Sequence, residues 1–257
     1  MNYISAVIIT KNEEKNIRDC LKSLDFVNEI IIVDAESNDR TIEIAKKFTK
    51  KIYVRKWDNY ANQKNYGILK AKNNWILSID ADERVSEELK KEILSLDFKK
   101  DGYFIPIKNY FLGKWLKYGG QYPDYHLRLF NKLKGRFLLK IKEVHESVYL
   151  NSVKIQKLKG TILHYSYPNI FFYFEKFNKY TYLDAVGRFK NNIRPSIYGI
   201  FIRPIHRFFK WYILKLGILD GIPGLLFYIF SSFYIFVAEM KLLELYKFNF
   251  KVLKWRT

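Results

Sequence analysis

Two aspartates, Asp80 and Asp82, stand at the end of a short apolar run, and Glu83 follows them directly. Because side chains alternate along an extended chain, the two aspartates point to the same side, within reach of one cation or one polyhydroxylated ligand. Open α/β sheets usually bind their ligands at this position, beyond the carboxyl end of a strand. A solvated turn before a helix fits the two residues equally well, so the rest of the chain decides between them.

The first hundred residues alternate between predicted strands and predicted helices. Apolar runs typical of strands occupy residues 4–10, 29–33, 51–55 and 75–79. The segments between these runs space their apolar residues as helices do, and a further helix is predicted from an N-cap at Ser86 to about Leu96. This order predicts a doubly wound α/β unit with a mostly parallel sheet.

Polar clusters follow three of these strands, namely Thr10 to Glu13, Asp34 to Asp39, and Asp80 with Asp82. Parallel strands end at the same edge of a sheet, so we expect the three clusters to share one rim. The chain has neither a glycine-rich dinucleotide fingerprint nor a Walker loop. A bound diphosphate therefore has to be held in another way, and a metal at the two aspartates is the candidate.

The composition indicates an ordered protein that favours an anionic partner. The chain has 257 residues, 49% of them hydrophobic, which is enough for a full core. Its formal net charge of +19 favours a nucleotide, nucleic acid or acidic membrane, although lysine-rich usage can also be a proteome-wide bias. The single cysteine, Cys20, excludes a disulfide framework and fits a reducing compartment. No signal-peptide pattern opens the sequence, so we expect a cytoplasmic protein.

From residue 102 the pattern changes to short strands with turns between them, which predicts an antiparallel extension of the sheet. Beyond residue 167 the chain is helical and aromatic. Cations and aromatic residues alternate over residues 203–215, which favours an interfacial helix on an acidic membrane over a helix packed on the core. Residues 221–238 carry no charge, but Asp220, Gly221, Pro223 and Gly224 interrupt the start of this stretch. We therefore expect a buried or in-plane helix pair there, and no true membrane span.

Seven short motifs resemble family 2 glycosyltransferases with the GT-A fold, and more narrowly the lipopolysaccharide-core glucosyltransferase branch. In order they are residues 8–13 (IITKNE), 32–39 (IVDAESND), 61–67 (ANQKNYG), 79–83 (IDADE), 128–130 (RLF), 144–146 (VHE) and 163–166 (LHYS). Residues 213–221 also resemble that branch, with less defined chemistry. The resemblance implies an α/β fold of the GT-A (Rossmann-like nucleotide-diphospho-sugar transferase) type with a C-terminal helical extension.

The resemblance also implies a division of the chain. Residues 1–166 form the GT-A catalytic domain, with a nucleotide-binding half over 1–100 and an acceptor half over 101–166. The aromatic and basic residues of 167–257 themselves predict a helical region that associates with membrane. We expect the residues that recognise the transferred sugar to lie in the loops near residues 113–122.

The donor implied by the resemblance is a UDP-sugar, carrying glucose or a similar hexose. A carboxylate at Asp34 supplies an acceptor for the uracil ring N–H, and a helix-start cap is the other interpretation of this residue. Lys64 meets the diphosphate as a point charge, unless it is merely a solvated lysine. The remaining nucleotide-site residues are Thr10, Asn12, Glu13, Ser37, Asp39 and Asp80.

The resemblance assigns Mn²⁺ or Mg²⁺ to Asp82 and Asp80, with Asp80 also a contact of the ribose. His164 lies where family members often supply a further ligand, and an imidazole favours Mn²⁺. The proton-accepting carboxylate of an inverting transfer has to lie across the sugar from the diphosphate, which excludes both aspartates. Two candidates remain. Glu146 is favoured, because a strand and then His164 follow it, and Asp124 is the alternative.

Other classes of function compete with this interpretation. A glycoside hydrolase needs two carboxyls on opposite sides of a sugar, and Asp80 and Asp82 cannot straddle one. A nucleotidyltransferase also uses paired aspartates and a metal, but releases pyrophosphate. A basic non-enzymatic protein that binds nucleic acid or membrane fits the charge, whereas the acidic rim opposes nucleic acid. An inactive scaffold is the last alternative. The acceptor stays open among lipopolysaccharide core, capsule, other lipid-linked glycans and protein, and so does the oligomeric state.

Overall fold

In a computed structural model, described over residues 3–139 and 146–247, the chain divides into two compact units. Of the described residues, the first unit comprises those up to Lys108 together with Asp124–Leu138 and Glu146–His164. The second comprises Asn109–Pro123 and the chain from Tyr165 on. The predicted division into halves at residue 100 and a membrane-associating region from residue 167 stays a prediction.

The parallel half of the sheet contains four strands, as the alternation of strands and helices predicts. They are β1 (Ile4–Thr10), β2 (Glu29–Asp34), β3 (Ile52–Val54) and β4 (Trp75–Asp80). The helices that connect them are α1 (Ile17–Lys22), α2 (Thr41–Ala45) and α3 (Tyr60–Lys70). Six of the seven residues of β1 are buried, which explains why this strand is a near-continuous apolar run.

The extension of the sheet begins at Glu83, and its pairs are mainly antiparallel. Its elements are β5 (Glu83–Val85), α4 (Glu87–Leu94), β6 (Gly102–Phe111), β7 (Lys114–Trp115), β8 (Asp124–Asn131), β9 (Gly135–Leu139), β10 (Glu146–Leu150), β11 (Ile155–Lys157) and β12 (Ile162–Tyr167). Ser86 caps α4 as predicted, because its hydroxyl accepts the N–H of Leu89. In the described residues the main sheet has ten strands, with the path β3-β2-β1-β4-β8-β6-β12-β5. Strands β7 and β11 pair with β6, while β9 and β10 form a separate pair.

Strand register brings the polar ends of the strands together. Thr10 lies opposite Asp34 in the parallel pair β1 and β2, and Ile9 lies opposite Asp80 in the pair β1 and β4. His164 lies opposite Glu83 in the antiparallel pair β12 and β5. The first pairings follow from the predicted parallel sheet, whereas the third depends on a return of the chain about eighty residues later.

Beyond Tyr167 the second unit is helical. Its elements are α5 (Ile170–Lys190), a π-helical segment (Tyr198–Ile202), α6 (Arg203–Phe208), a second π-helical segment (Phe209–Leu214), a 3-10 helix (Gly217–Asp220) and α7 (Gly221–Lys247). Helices α5 and α7 pack together, and Tyr173 and Phe177 of α5 are buried against Phe227 and Phe230 of α7. This core is mainly aromatic, which accounts for much of the high Phe and Tyr content.

The expected helix pair in residues 221–238 is wrong, because the structure has one continuous helix, α7, through this stretch. Pro223 lies in the first turn, where the missing N–H costs no hydrogen bond, so it starts the helix and does not break it. The stretch Gly217–Lys247 is long and apolar enough to cross a membrane by length and composition alone, and a window of 18 residues within it has a mean hydropathy of 1.8.

Candidate active site

The loops after β1 and β2 are bound to each other through Asp34, whose residue is 0% exposed. One carboxylate oxygen accepts the hydroxyls of Thr10 at 2.7 Å and Ser37 at 2.6 Å, and the other accepts the N–H of Ser37 at 2.7 Å. A carboxylate offers about four acceptor positions, so three of them are used within the protein. Asp34 thus fixes the two loops, and its contact with a uracil ring stays a prediction.

Asn12, Ser37 and Asp39 continue this network at the same rim. The N–H of Asn12 donates to the Ser37 hydroxyl at 2.8 Å, and the side-chain carbonyl of Asn12 accepts the N–H of Asn38 at 2.9 Å. Asp39 accepts the N–H of Glu14 at 3.0 Å and that of Thr41 at 2.9 Å. Burial raises the pKa of Asp39, but the hydrogen bonds from Thr41 outweigh burial and lower it below the ordinary value.

Glu13 is tied to the same network. Its N–H donates to the Thr41 hydroxyl at 2.7 Å, and its carboxylate accepts the amide of Asn16 at 2.8 Å. All the residues predicted for the nucleotide from the first two clusters therefore lie together, at the carboxyl ends of β1 and β2. Their nucleotide contacts stay predictions.

Asp80 lies between two cations. Its Oδ1 is 2.9 Å from Nζ of Lys64, and its Oδ2 is 3.2 Å from a guanidinium nitrogen of Arg128. Burial opposes ionisation of Asp80, but the charges of Lys64 and Arg128 outweigh it and hold the pKa of Asp80 well below its usual range. Lys64 is only 2% exposed, so the solvated-lysine interpretation is wrong. Its contact with a diphosphate stays a prediction.

Glu83, which is 0% exposed, shapes the turn between the two aspartates. Its Oε2 accepts the backbone N–H of Asp80 at 2.8 Å, and its Oε1 accepts a guanidinium N–H of Arg128 at 2.5 Å. Burial raises the pKa of Glu83, although the charge of Arg128 opposes this. Asp80, Glu83, Lys64 and Arg128 thus form a cluster with two charges of each sign, which closes the turn that carries Asp82.

Asp82 faces a different partner. Its Oδ1 is 3.4 Å from Nε2 of His164, and both side chains are mostly buried. Burial lowers the pKa of His164, but the charge and hydrogen bond of Asp82 outweigh burial and raise it above the ordinary value. The two aspartates of the motif therefore meet different groups. The negative charge of Asp80 is balanced by two cations, whereas Asp82 contacts an imidazole.

The donor atoms of Asp82 and His164 fit two neighbouring positions around a Mg²⁺ or Mn²⁺ ion. Adjacent ligands of an octahedral ion lie about 3 Å apart, close to the separation of Asp82 Oδ1 from His164 Nε2. Over residues 3–139 and 146–247, no group of three or more His, Cys, Asp or Glu side chains is arranged to hold a metal. Asp82 and His164 would hold such an ion, and the predicted share of Asp80 in its coordination stays a prediction.

Of the two candidates for the proton acceptor, the structure describes the side chain of Asp124 and not that of Glu146. Oδ1 of Asp124 lies 3.0 Å from Nε2 of His126, and both side chains are about half exposed. Glu146 begins β10, but its side chain falls outside the described residues, and so does His145. The choice between Glu146 and Asp124 stays a prediction.

Sequence reasoning gave no role to Glu83 or Arg128, although both lie in the quoted motifs. Arg128 reaches Asp80 and Glu83 from β8, forty-five or more positions along the chain. A signal was present in the sequence, since a lone arginine in an apolar strand is costly unless a carboxylate pairs with it. The identity of the carboxylate that pairs with Arg128 depends on the order of the strands in the sheet. An arginine in an apolar strand does not reveal that order.

The mixed sheet, with carboxylates and a histidine gathered beyond its parallel strands, agrees with the α/β fold of the GT-A type that the sequence motifs resemble. The profile of glycosyl transferase family 2 matches residues 5–181, and the chain belongs to this family. An uncharacterized glycosyltransferase of Rickettsia bellii is 33% identical in an alignment 254 positions long, and the match covers 94% of this chain and 86% of the relative. The chain is thus an enzyme of the glycosyltransferase class.

Two further proteins resemble the chain over most of its length. The lipopolysaccharide core biosynthesis glycosyltransferase LpsC of Rhizobium meliloti is 27% identical over 249 residues, covering 94% of this chain and 92% of LpsC. The crystal structure of residues 1–349 of TarS from S. aureus, in complex with UDP-GlcNAc, has a TM-score of 0.49 and 18% identity. That match covers 95% of this chain and 92% of TarS 1–349.

Proposed function

We propose that this chain is an inverting, metal-dependent glycosyltransferase. It moves a hexose such as glucose from a UDP-sugar to a lipid-linked or surface-glycan acceptor, of which lipopolysaccharide core is an example. The observation that carries the proposal is the pair Asp82 and His164, beside the cation-bound Asp80 and at the end of β4. The name of the Rhizobium relative supports the class of acceptor.

The proposed donor site uses the network at the ends of β1 and β2. Asp34 holds Thr10 and Ser37 in fixed positions, and Asn12 and Glu13 border the base and ribose. Fixed loops lower the entropy cost of binding, because little has to be ordered when the nucleotide arrives. Lys64 holds Asp80 ionised, and together they stand where the ribose and diphosphate are expected.

Asp82 and His164 would hold the Mn²⁺ or Mg²⁺ ion. When bound, the ion offsets the negative charge that gathers on the departing UDP. The reaction itself is a displacement: an acceptor oxygen forms a bond to the anomeric carbon while the bond to the phosphate oxygen breaks and its electron pair leaves with UDP. A carboxylate takes the proton of the acceptor hydroxyl, and we assign this role to Glu146, with Asp124 as the alternative.

A screen of UDP-sugars tests the donor and the metal together. We expect Mn²⁺-dependent binding of at least one of UDP-glucose, UDP-galactose and UDP-GlcNAc in calorimetry, and slow UDP release in the absence of acceptor. The variant Asp82→Ala should lose the metal dependence. If no UDP-sugar binds and Asp82→Ala behaves like the parent, the proposal is wrong. Release of pyrophosphate from UTP with a sugar phosphate would instead support a nucleotidyltransferase.

We also propose that the segment over residues 193–222 attaches the enzyme to an acidic membrane, on its cytoplasmic face. Five apolar residues recur here at every fourth position, and each is 44% to 79% exposed: Ile197, Phe201, Ile205, Phe209 and Ile213. Wide π-helical turns on both sides of α6 suit this spacing better than the α-helical repeat does. Lys210 and Lys215 are exposed in the same segment, whereas the exposed Arg203 pairs with the buried carboxylate of Glu239 at 3.2 Å. Apolar side chains between cations fit an anionic lipid surface.

Not every cation predicted for this surface lies on it. Arg207 is half-buried, donates to the hydroxyl of Ser231 at 2.9 Å and lies over the ring of Trp211. Burial lowers the pKa of Arg207. Arg207 therefore stabilises the packing of α6 on α7, and the proposed lipid contacts rest on Lys210 and Lys215.

Vesicle flotation tests the attachment. The parent should float with phosphatidylglycerol vesicles and stay in solution with phosphatidylcholine vesicles. The double variant Phe209→Glu with Leu214→Glu should lose flotation, because it places charge among exposed apolar residues. Leu69→Glu is a matched control, since Leu69 is 81% exposed on α3 of the other unit. Equal flotation of the double variant and the parent would contradict the lipid contact.

A further inference from the structure

The loop that follows β7 is bound by residues about one hundred positions later in the second unit. The N–H groups of Lys117 and Tyr118 donate to the two carboxylate oxygens of Asp220, both at 3.0 Å. The N–H of Gly119 donates to the carbonyl of Lys215 at 2.8 Å. The hydroxyl of Tyr228 donates to the carbonyl of Tyr118 at 2.9 Å. Three consecutive residues of the loop thus have their backbone polar groups held by one distant segment.

The groups that hold the loop are buried and closely fitted to it. Asp220 and Tyr228 are each 2% exposed. Gly119 has a φ of +59°, and a Cβ placed on it would lie 1.9 Å from the hydroxyl oxygen of Tyr228. No larger residue fits there without moving the tyrosine. A buried carboxylate that accepts two N–H groups is costly to disturb, so the loop has one strongly preferred conformation.

The same arrangement explains the sequence of the segment that leads into α7. Asp220 ends the 3-10 helix Gly217–Asp220, and a Cβ on Gly217 would lie 2.4 Å from the ring of Tyr228. Residues 213–221 resemble one branch of the family but had no assigned chemistry in the sequence. In the structure this segment presents Asp220 to the loop and lets Tyr228 pack closely.

The side chains that the loop displays suit an anionic saccharide. Trp115 and Tyr122 meet edge to face, with ring centroids 5.2 Å apart. The ammonium group of Lys117 lies 5.6 Å from the ring of Tyr118 and 5.9 Å from that of Trp115. Lys117 is exposed and the three aromatic residues are half-buried. Aromatic faces pack against the C–H faces of sugar rings, and an ammonium group binds phosphate or carboxylate.

The sequence led us to expect recognition of the transferred sugar in the loops near residues 113–122. We propose instead that Trp115, Lys117 and Tyr118 bind the acceptor glycan through a sugar ring and an anionic group on it, and that Asp220 and Tyr228 are positioning residues for this surface. The inference rests on the proposed transfer of a sugar to a glycan. It gives the C-terminal region a part in acceptor recognition that is separate from membrane attachment.

A matched pair of tyrosine variants tests the positioning role. Tyr228→Phe removes the hydroxyl that holds the loop. Tyr234→Phe removes an equivalent hydroxyl on the same helix, which donates at 3.0 Å to the carbonyl of Tyr180 and does not touch the loop. The acceptor is the membrane glycolipid fraction of cells in which the gene is deleted, and the donor is the UDP-sugar found in the screen.

We expect Tyr228→Phe to raise the KM for the glycolipid at least about fivefold, with kcat within about twofold and the UDP dissociation constant unchanged, because a loosened loop weakens binding and leaves the chemistry intact. Tyr234→Phe should match the parent in all three. The proposal is overturned if the two variants behave alike, or if Tyr228→Phe changes the UDP dissociation constant as much as the KM. Lys117→Ala should also raise the KM, and an unchanged KM would overturn the assigned contact.

Hydrogen exchange gives a readout that needs no acceptor. The amides of Lys117, Tyr118 and Gly119 should be protected in the parent, and Asp220→Asn should speed their exchange at least about tenfold, because an amide group donates where the carboxylate accepted. If Asp220→Asn does not fold, Tyr228→Phe provides the same comparison. Unchanged protection in the folded variants overturns the positioning role. Failure of the parent to bind any UDP-sugar would instead contradict the proposed function, and the exchange result would still stand.

Discussion

Asp82 meets His164 through Oδ1 and Nε2 at 3.4 Å, although the two residues lie eighty-two positions apart. The contact arises because β12 returns antiparallel to β5 and places His164 opposite Glu83, the residue after Asp82. An aspartate and a histidine brought together in this way would supply one oxygen and one nitrogen ligand to the proposed metal ion. The pairing therefore makes a specific prediction about metal choice.

We expect His164→Ala to weaken Mn²⁺ binding in the presence of UDP by at least about tenfold, and to weaken Mg²⁺ binding less, because an imidazole nitrogen favours Mn²⁺ over Mg²⁺. Calorimetric titration of each ion into the protein with UDP measures both. His126→Ala is the matched control, since His126 is half exposed and contacts Asp124. Equal losses for the two ions would argue against His164 as a direct ligand.

Glu83 provides a second prediction, since it holds the turn through the N–H of Asp80 and also pairs with Arg128. Replacing it with Gln leaves the buried guanidinium with less compensating charge, so we expect Glu83→Gln to lower the free energy of unfolding by about 3 kcal/mol. Chemical denaturation measures this loss. Glu87→Gln, at an exposed site on α4, should cost under about 1 kcal/mol. Similar losses in both variants would show that the turn does not depend on Glu83.

Lys64 allows the role of the Asp80 charge to be tested. We expect Lys64→Met, which keeps the volume and removes the charge, to weaken UDP binding at least about tenfold, since one cation beside Asp80 is lost and the like charge of the diphosphate is no longer offset. Lys70→Met is the control, because Lys70 is an exposed residue of the same helix. Calorimetric titrations with UDP measure the dissociation constants of both variants and of the parent. Parent-like affinity in Lys64→Met would restrict Lys64 to a structural role.

The parallel half of the fold was predictable, because each strand there is a local apolar run and parallel strands end at one edge. Thr10 and Asp34 meet for this reason. The partners of Arg128 were not predictable, since β8 finds its place by long-range pairing that leaves no local pattern. His164 was grouped with Asp82 only through the family resemblance, because the pairing of β12 with β5 leaves no local pattern either. Lys64 looks like any helical lysine in the sequence. Its burial depends on the packing of α3 on the sheet.

A comparison of the variants Glu146→Gln and Asp124→Asn distinguishes the two candidates for the proton acceptor. We expect Glu146→Gln to reduce transfer at least about a hundredfold and to leave UDP binding unchanged, because a positioned general base contributes about that much to the rate. Asp124→Asn should stay within about tenfold of the parent, because the carboxylate of Asp124 is half exposed and engaged with His126. Transfer rates with glycolipid acceptor and separate UDP titrations give the two readouts. A nearly full rate in Glu146→Gln, together with a large loss in Asp124→Asn, would move the role to Asp124.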